Sequence, residues 1–213
     1  MRYETGSKLM ARRFFITTLL TVTGAVCLAT SIASRDSSAP EAGHALTGPA
    51  LLAALRQGGY VIFFRHTATD FSRNDAGMTS YSDCANQRLL SPAGQAQARE
   101  IGEQVRRLQL PVGEVLASPY CRTMDTATQM FRRAAPRTEL REQKDGDYPG
   151  LKDLLVAPVP AGTNRWLVGH GTPFRAIAGA PHLAEGEAAV LRPGGTRWTV
   201  VARIAPGEWA GLK

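Results

Sequence analysis

YVIFFRHTATD, residues 60–70, carries the strongest structural signal in this chain of 213 residues. Its first five residues, 60–64, form an unbroken apolar run, and Arg65 and His66 follow at once. A continuous apolar run of this length is typical of a β-strand. The pattern therefore predicts a strand with Arg65 and His66 just past its end.

Two further stretches repeat this arrangement. Residues 114–117 are predicted to form a strand, and the helix predicted over residues 121–131 has Arg122 at its entrance. Residues 166–168 are predicted to form a third strand, which is followed by His170 between two glycines that allow close backbone approach.

Helical patterns separate these strands. A short helix is predicted over residues 51–56, and a longer one begins at Ser91 and Pro92, an N-cap followed by a first-turn proline. Residues 188–191 and 199–204 are predicted to form a final pair of strands. Strands that alternate with helices predict an α/β domain, built as a three-layer α/β/α sandwich around a mostly parallel sheet.

The polar residues at the strand ends indicate the chemistry. Ligands of such sheets bind beyond the carboxyl ends of the strands, so these arginines and histidines are expected at one rim. A neutral imidazole is nucleophilic near pH 7 and can accept a phosphoryl group directly. Guanidinium groups match the charge and geometry of phosphate, and a protonated second histidine could donate to the remaining oxygens. The residues therefore predict phosphoryl transfer that needs no metal.

Four stretches together resemble the histidine phosphatase superfamily, in its phosphoglycerate mutase-like branch. They are Arg65-His66, DCANQRLLSPAGQAQA at 83–98, ASPYCRTMDTA at 117–127 and GTNRWLVGHG at 162–171. Their order, each at a strand-to-helix junction, makes the resemblance specific, and it covers most of the chain after Gly58. Thr67 stands where many members have glycine, although threonine also occurs there in the family.

The resemblance implies a phosphoglycerate mutase-like fold and a phosphoric monoester hydrolase without metal or cofactor. It implies that His66 becomes phosphohistidine and that water then hydrolyses this intermediate. Arg65 and Arg122 would hold the phosphate, and His170 would contact it and stabilise the transition state. The implied partner is a small phosphorylated substrate, either a phosphomonoester or phosphohistidine. The His-Asp pair of the acid phosphatase and phytase branch is absent, because Gly171 follows His170.

The general acid has three candidates. A carboxyl group near the phosphate usually protonates the leaving alcohol. In ELREQKDGDYPG, residues 139–150, Glu142 and the glycines and tyrosine after it have a spacing similar to the mutase-like branch. EGEAAVLRP, residues 185–193, is similar to exported bacterial members of the family. Glu185 or Glu187 could therefore line the pocket instead.

Other classes of phosphatase do not fit the spacing. A cysteine phosphatase needs Arg six residues after Cys, but Leu90 and Ala127 occupy those places after Cys84 and Cys121. The chain has no GxxxxGK[ST] loop and no spacing typical of metal ligands. The competing hypothesis is an exported, catalytically inactive relative that uses the same basic rim to bind an anionic ligand. His182, in the loop after Pro181, is expected to be an ordinary surface residue.

The formal net charge of +7 raises the question of nucleic-acid binding. The basic residues are spread along the chain without an interleaved aromatic patch, so a nucleic-acid partner is not expected. Part of the charge lies in the first 33 residues, where a single glutamate opposes Arg2, Lys8, Arg12 and Arg13.

An uncharged run over residues 14–32 follows these basic residues and ends in small side chains. This order predicts that residues 1–33 are a signal peptide, or a membrane anchor if uncleaved. Residues 34–48 are then expected to be a flexible tether and residues 49–213 the histidine phosphatase domain. The protein is expected in the periplasm, with membrane contact only through an uncleaved N-terminal segment.

Cleavage would leave Cys84 and Cys121 as the remaining cysteines. In an oxidising compartment they could form a disulfide. Two buried thiols fit equally well, because the sequence cannot place the two Cα atoms within the ~4.4 to 6.8 Å that a disulfide requires.

Overall fold

The computed structural model describes residues 45–213. The predicted signal peptide or anchor and most of the predicted tether lie outside the described residues. Five α-helices and six strands alternate in the described part of the chain. They are α1 Gly48–Gln57, β1 Val61–Arg65, α2 Pro92–Arg107, β2 Val112–Ala117, α3 Cys121–Phe131, β3 Ala135–Pro136, α4 Pro149–Val156, β4 Asn164–Gly169, α5 Gly171–Ala178, β5 Ala188–Gly194 and β6 Arg197–Ile204.

The strands form one sheet in the order β3-β2-β4-β1-β5-β6. The first four of these are parallel, and β5 and β6 run antiparallel to their neighbours. Arg65 pairs with Gly169, and Ala117 pairs with Val168, so β1, β4 and β2 end at the same edge. The mostly parallel α/β sheet is confirmed, and its register places three strand ends side by side.

Alternating side chains of β1 explain its uninterrupted apolar run. Ile62 and Phe64 belong to a core cluster with α1, α2 and α3, whereas Val61 and Phe63 belong to a second cluster with α4 and α5. Successive side chains of a strand point to opposite faces, and both faces are covered by helices here. This confirms the three-layer α/β/α sandwich.

Helix α2 is fixed closely to the loop that follows β1. The Ser91 hydroxyl accepts a hydrogen bond from the Gly94 backbone N–H at 3.1 Å, which is the predicted N-cap. A Cβ atom at Gly94 would lie 2.8 Å from the carbonyl carbon of Ala68, two residues after His66. Glycine at this position therefore lets the helix support the loop that carries His66.

The structure also differs from the predicted elements. Helix α4, the short strand β3 and the bounds of α5 were not predicted, and β5 and β6 are longer than expected and form an antiparallel hairpin. The backbone N–H of Leu46, inside the predicted tether, donates to the Val201 carbonyl oxygen at 2.7 Å. Within residues 45–213, no helix has both the length and the apolar character to cross a membrane.

Candidate active site

A cavity of about 180 Å³ lies at the sheet edge where β1, β2 and β4 end. Its walls are formed by Arg65, His66, Arg88, Arg122, Glu142, His170, Gly171, Thr172 and His182. The structure thus brings together the four predicted strand-end residues and Glu142. Their chemical roles stay predictions, but their proximity makes one polar pocket.

His66 is buried at the base of this cavity, with 2% of its surface exposed. Its pKa is lowered from 6.5 to about 3, chiefly by burial and also by three nearby arginines, against the opposing effect of the Thr67 carbonyl. Its Nδ1 lies 3.0 Å from that carbonyl oxygen. A neutral ring in this contact carries its proton on Nδ1, so the lone pair remains on Nε2.

His170 follows β4 and lies beside His66, with the ring centroids 5.6 Å apart. Its Nε2 atom lies 2.9 Å from the Ser118 hydroxyl oxygen. Burial lowers the pKa of His170 well below 6.5, and the charge of Arg122 lowers it further. The ring of His170 is therefore neutral in the ligand-free site, and its predicted protonation beside a bound phosphate stays a prediction.

Arg122 lies in the first turn of α3 and is 6% exposed. Its Nη1 atom lies 3.0 and 3.1 Å from the two carboxylate oxygens of Asp75. Its Nε atom is buried and has no hydrogen-bond partner among the described residues. Burial lowers the pKa of Arg122, and Asp75 opposes this effect. A buried donor without a partner is costly, and a bound anion would remove that cost.

Two further arginines complete the basic lining. Arg65 donates from Nη1 to the Leu183 carbonyl oxygen at 2.9 Å, and its buried Nε also has no partner in the described chain. The Arg88 guanidinium lies over the ring of Phe71, 4.8 Å from its centroid. Three guanidinium groups around so small a space favour a doubly charged anion such as phosphate.

The three candidate carboxylates occupy different places. Glu142 is exposed at the mouth of the cavity. Glu185 lies behind His66, with its carboxylate 3.9 Å from Nδ1. Glu187 lies 3.5 Å from an Arg203 guanidinium nitrogen, and neither Glu185 nor Glu187 lines the cavity.

A disulfide joins Cys84 to Cys121, with the Cα atoms 5.8 Å apart. The backbone N–H of Cys121 also donates to the side-chain oxygen of Gln87 at 2.9 Å. Both contacts fix the segment between β1 and α2 to the residue that precedes Arg122.

Arg88, Asp75, Ser118 and His182 were not predicted as site residues. Arg88 and Ser118 lie inside stretches that carry the family resemblance, and comparison of these stretches with the family could have identified both as site residues. Asp75 lies in a segment without apolar periodicity. His182 is exposed, as expected of a loop residue, but it also lines the cavity.

Comparison with known families agrees with this geometry. The model of the histidine phosphatase superfamily, branch 1, matches residues 61–173, which is more than half of the chain. The chain belongs to the histidine phosphatase superfamily. A comparison with curated proteins found no match.

Solved structures of other histidine phosphatase-fold proteins are similar to this chain. SixA from Agrobacterium tumefaciens is 20% identical, with a TM-score of 0.51 over 70% of this chain and 99% of its own. The protein histidine phosphatase SixA complexed with tungstate is 16% identical, with a TM-score of 0.54 and coverage of 72% and 99%. A phosphoserine phosphatase mutant from Entamoeba histolytica, in complex with phosphoserine, is 12% identical, with a TM-score of 0.51 and coverage of 69% and 97%. At these identities, the similarity establishes the shared fold.

Proposed function

We propose that this histidine phosphatase superfamily member is a metal-independent phosphatase that forms a phosphohistidine intermediate on His66. The observation that carries the proposal is the neutral His66, which keeps its Nε2 lone pair at a cavity lined by three arginines. A small phosphorylated compound, either a phosphomonoester or phosphohistidine, is the proposed substrate class. Phosphoserine and tungstate in the similar structures support this choice of ligand chemistry.

The first step transfers the phosphoryl group to His66. Arg65, Arg88 and Arg122 would bind the phosphate oxygens and balance their charge. The Nε2 lone pair of His66 forms a bond to phosphorus while the bond to the leaving oxygen breaks. Glu142 gives its proton to that oxygen, so the alcohol leaves neutral.

The second step releases phosphate. Glu142, now a carboxylate, takes a proton from a water molecule as the water oxygen bonds to phosphorus. The bond between phosphorus and Nε2 breaks, and His66 regains its lone pair. His170 would donate to a phosphate oxygen in both steps, because the negative charge of the phosphate favours protonation of a nearby imidazole.

Glu142 is assigned as the general acid because of its position relative to the leaving oxygen. A general acid must come within hydrogen-bond reach of the leaving oxygen, which points out of the cavity when His66 attacks from its base. Glu142 lies at the mouth of the cavity. Glu185 lies on the Nδ1 side of His66, and Glu187 is paired with Arg203, so neither faces the leaving group.

We also propose that the enzyme acts in the periplasm after export by residues 1–33. The basic start and apolar run of this segment support the proposal, as does the Cys84–Cys121 disulfide, which is typical of oxidising compartments. Cell fractionation and N-terminal sequencing of the mature protein test both export and cleavage. Recovery of the intact chain from the cytoplasm alone would contradict the proposal.

Hydrolysis of p-nitrophenyl phosphate in excess chelator tests the enzymatic proposal. The wild-type protein should turn over, and His66→Ala, checked for folding by circular dichroism, should not. Turnover that requires added divalent metal, or that survives in His66→Ala, would contradict the mechanism. A wild-type protein that binds phosphate without turnover would support the inactive binding protein instead. A panel of phosphoserine, sugar phosphates and a phosphohistidine peptide then separates the substrate classes.

A further inference from the structure

The segment between β1 and α2 makes a second set of contacts with the candidate site. Residues 70–88, here called the strap, connect to the first turn of α3 through three of their side chains. Cys84 forms the disulfide with Cys121, and the Gln87 side chain accepts a hydrogen bond from the Cys121 backbone N–H. The Asp75 carboxylate pairs with the Arg122 guanidinium. All three contacts reach two adjacent residues, Cys121 and Arg122.

The Asp75 carboxylate holds one end of the Arg122 guanidinium. Its two oxygens lie 3.0 and 3.1 Å from Nη1 of Arg122, and Oδ1 also accepts the Arg88 backbone N–H at 2.9 Å. The Arg122 side chain is 7% exposed and that of Asp75 is 30% exposed. A partly buried, charge-assisted contact of this kind restricts the rotation of the guanidinium group.

The contact leaves a defined edge of Arg122 available. Within residues 45–213, all hydrogen bonds of this guanidinium use Nη1. The Nε atom is buried without a partner in that part of the chain. The N–H groups on Nε and Nη2 form one of the paired edges that bind two oxygens of a phosphate. Asp75 thus occupies the end of the guanidinium opposite to this edge.

We propose that Asp75 is a positioning residue for the phosphatase reaction. It holds Nη1 so that the Nε and Nη2 edge of Arg122 meets the phosphoryl group, and the Cys84–Cys121 disulfide keeps Asp75 in place. The inference rests on the proposed function. The alternative role for Asp75 is inhibition. If its carboxylate merely competed with phosphate for Arg122, removal of that carboxylate would increase the activity.

Steady-state kinetics of Asp75→Asn in the full chain separates these roles. Loss of positioning should lower kcat about 10-fold or more, since small misplacements of a binding group are costly in the transition state. The inhibition constant of inorganic phosphate should change less than about threefold, because removal of a negative charge strengthens anion binding while a looser Arg122 weakens it. Asp75→Glu, which keeps the charge, should recover part of kcat.

Asp83→Asn is the matched control within the strap. The Asp83 carboxylate accepts hydrogen bonds from Thr79 and Asn86 and does not contact Arg122. Asp83→Asn should keep the wild-type kcat. If kcat falls equally in both variants, loosening of the strap in general explains the effect and the assignment to Asp75 is wrong.

The disulfide provides a second, independent test. Dithiothreitol treatment, or the double variant Cys84→Ser and Cys121→Ser, should lower kcat in the wild-type background but add little in Asp75→Asn. Equal effects in the two backgrounds would overturn the proposed coupling. An unchanged or increased kcat in Asp75→Asn, with active wild type, would overturn this inference alone. A wild-type protein without turnover would contradict the proposed function as well.

Discussion

The Nδ1 atom of His66 lies 3.0 Å from the carbonyl oxygen of its neighbour Thr67, and this contact sets the proton on the neutral ring. The proton is on Nδ1 and the lone pair is on Nε2. Burial and nearby arginines lower the pKa of His66 to about 3, so the ring keeps this form in mildly acidic solution. The proposed nucleophile is therefore ready without a separate base.

The pH dependence of kcat/KM should reflect this low pKa. A histidine with the usual pKa of about 6.5 would lose roughly 30-fold in its neutral fraction at pH 5. With a pKa near 3, His66 stays neutral, and kcat/KM should fall less than about threefold between pH 7 and 5. The measurement must be corrected for the ionisation of the substrate, titrated separately. An acid limb centred near pH 6.5 after this correction would contradict the burial effect.

The stability of the fold, unlike kcat/KM, should depend on pH between 7 and 5. Burial lowers the pKa values of His66 and His170, so the unfolded chain binds more protons than the folded protein below pH 6.5. The free energy of unfolding should thus fall as pH falls from 7 to 5, by about 2 kcal/mol for His66, with a contribution of the same sign from His170.

Urea unfolding at several pH values measures this effect. His66→Gln should reduce the pH slope, whereas His182→Gln, which changes an exposed ring, should keep the wild-type slope. A wild-type stability that does not vary over this range would show that the two rings are not neutral in the folded state.

The role of Glu142 can be tested through the leaving group. Glu142→Gln should slow hydrolysis of an alkyl phosphate about 100-fold or more, because an alkoxide needs a proton in order to leave. Hydrolysis of p-nitrophenyl phosphate should slow far less, since nitrophenolate leaves without protonation. The matched control is Glu187→Gln. Glu187 lies outside the cavity, so this substitution should not slow the alkyl phosphate more than p-nitrophenyl phosphate. An equal effect of Glu142→Gln on both substrates would move the role to Glu185, Glu187 or solvent.

Two buried glycines of α2 provide a paired test of how the fold supports the site. A Cβ at Gly94 would overlap the backbone at Ala68, and a Cβ at Gly102 would lie 2.7 Å from the Cα atom of Met130. Both substitutions to alanine should destabilise the fold by about 1 to 3 kcal/mol, as overpacking does. Gly94→Ala should also lower kcat, because Ala68 follows His66 by two residues. If Gly102→Ala loses as much kcat under conditions where both variants are fully folded, the link between Gly94 and the His66 loop is wrong.

The predictable part of the site follows from local pattern. His66 and His170 each follow an apolar run that is buried in the central sheet, and parallel strands place their ends together. Their common location could therefore be predicted, although their protonation states could not, because these depend on burial and on arginines from distant parts of the chain.

Other parts of the site could not be predicted from local pattern, because tertiary contacts bring their residues together. Asp75 and Arg88 lie in or at the end of the strap, whose conformation is set by the disulfide and by contacts with α3 and not by apolar periodicity. The choice among Glu142, Glu185 and Glu187 likewise depends on which side of His66 each loop reaches. The sequence alone leaves all three open, and the structure brings Glu142 to the cavity mouth.

The most direct test of the proposed mechanism is detection of the phosphorylated enzyme. Glu142→Gln should be mixed rapidly with p-nitrophenyl phosphate, quenched in alkali and analysed by mass spectrometry of its peptides. We expect a burst of nitrophenolate and one acid-labile phosphoryl group on His66, since loss of the general base slows hydrolysis of the intermediate. Continued turnover with no burst and an unmodified His66, or with the phosphoryl group on another residue, would contradict it.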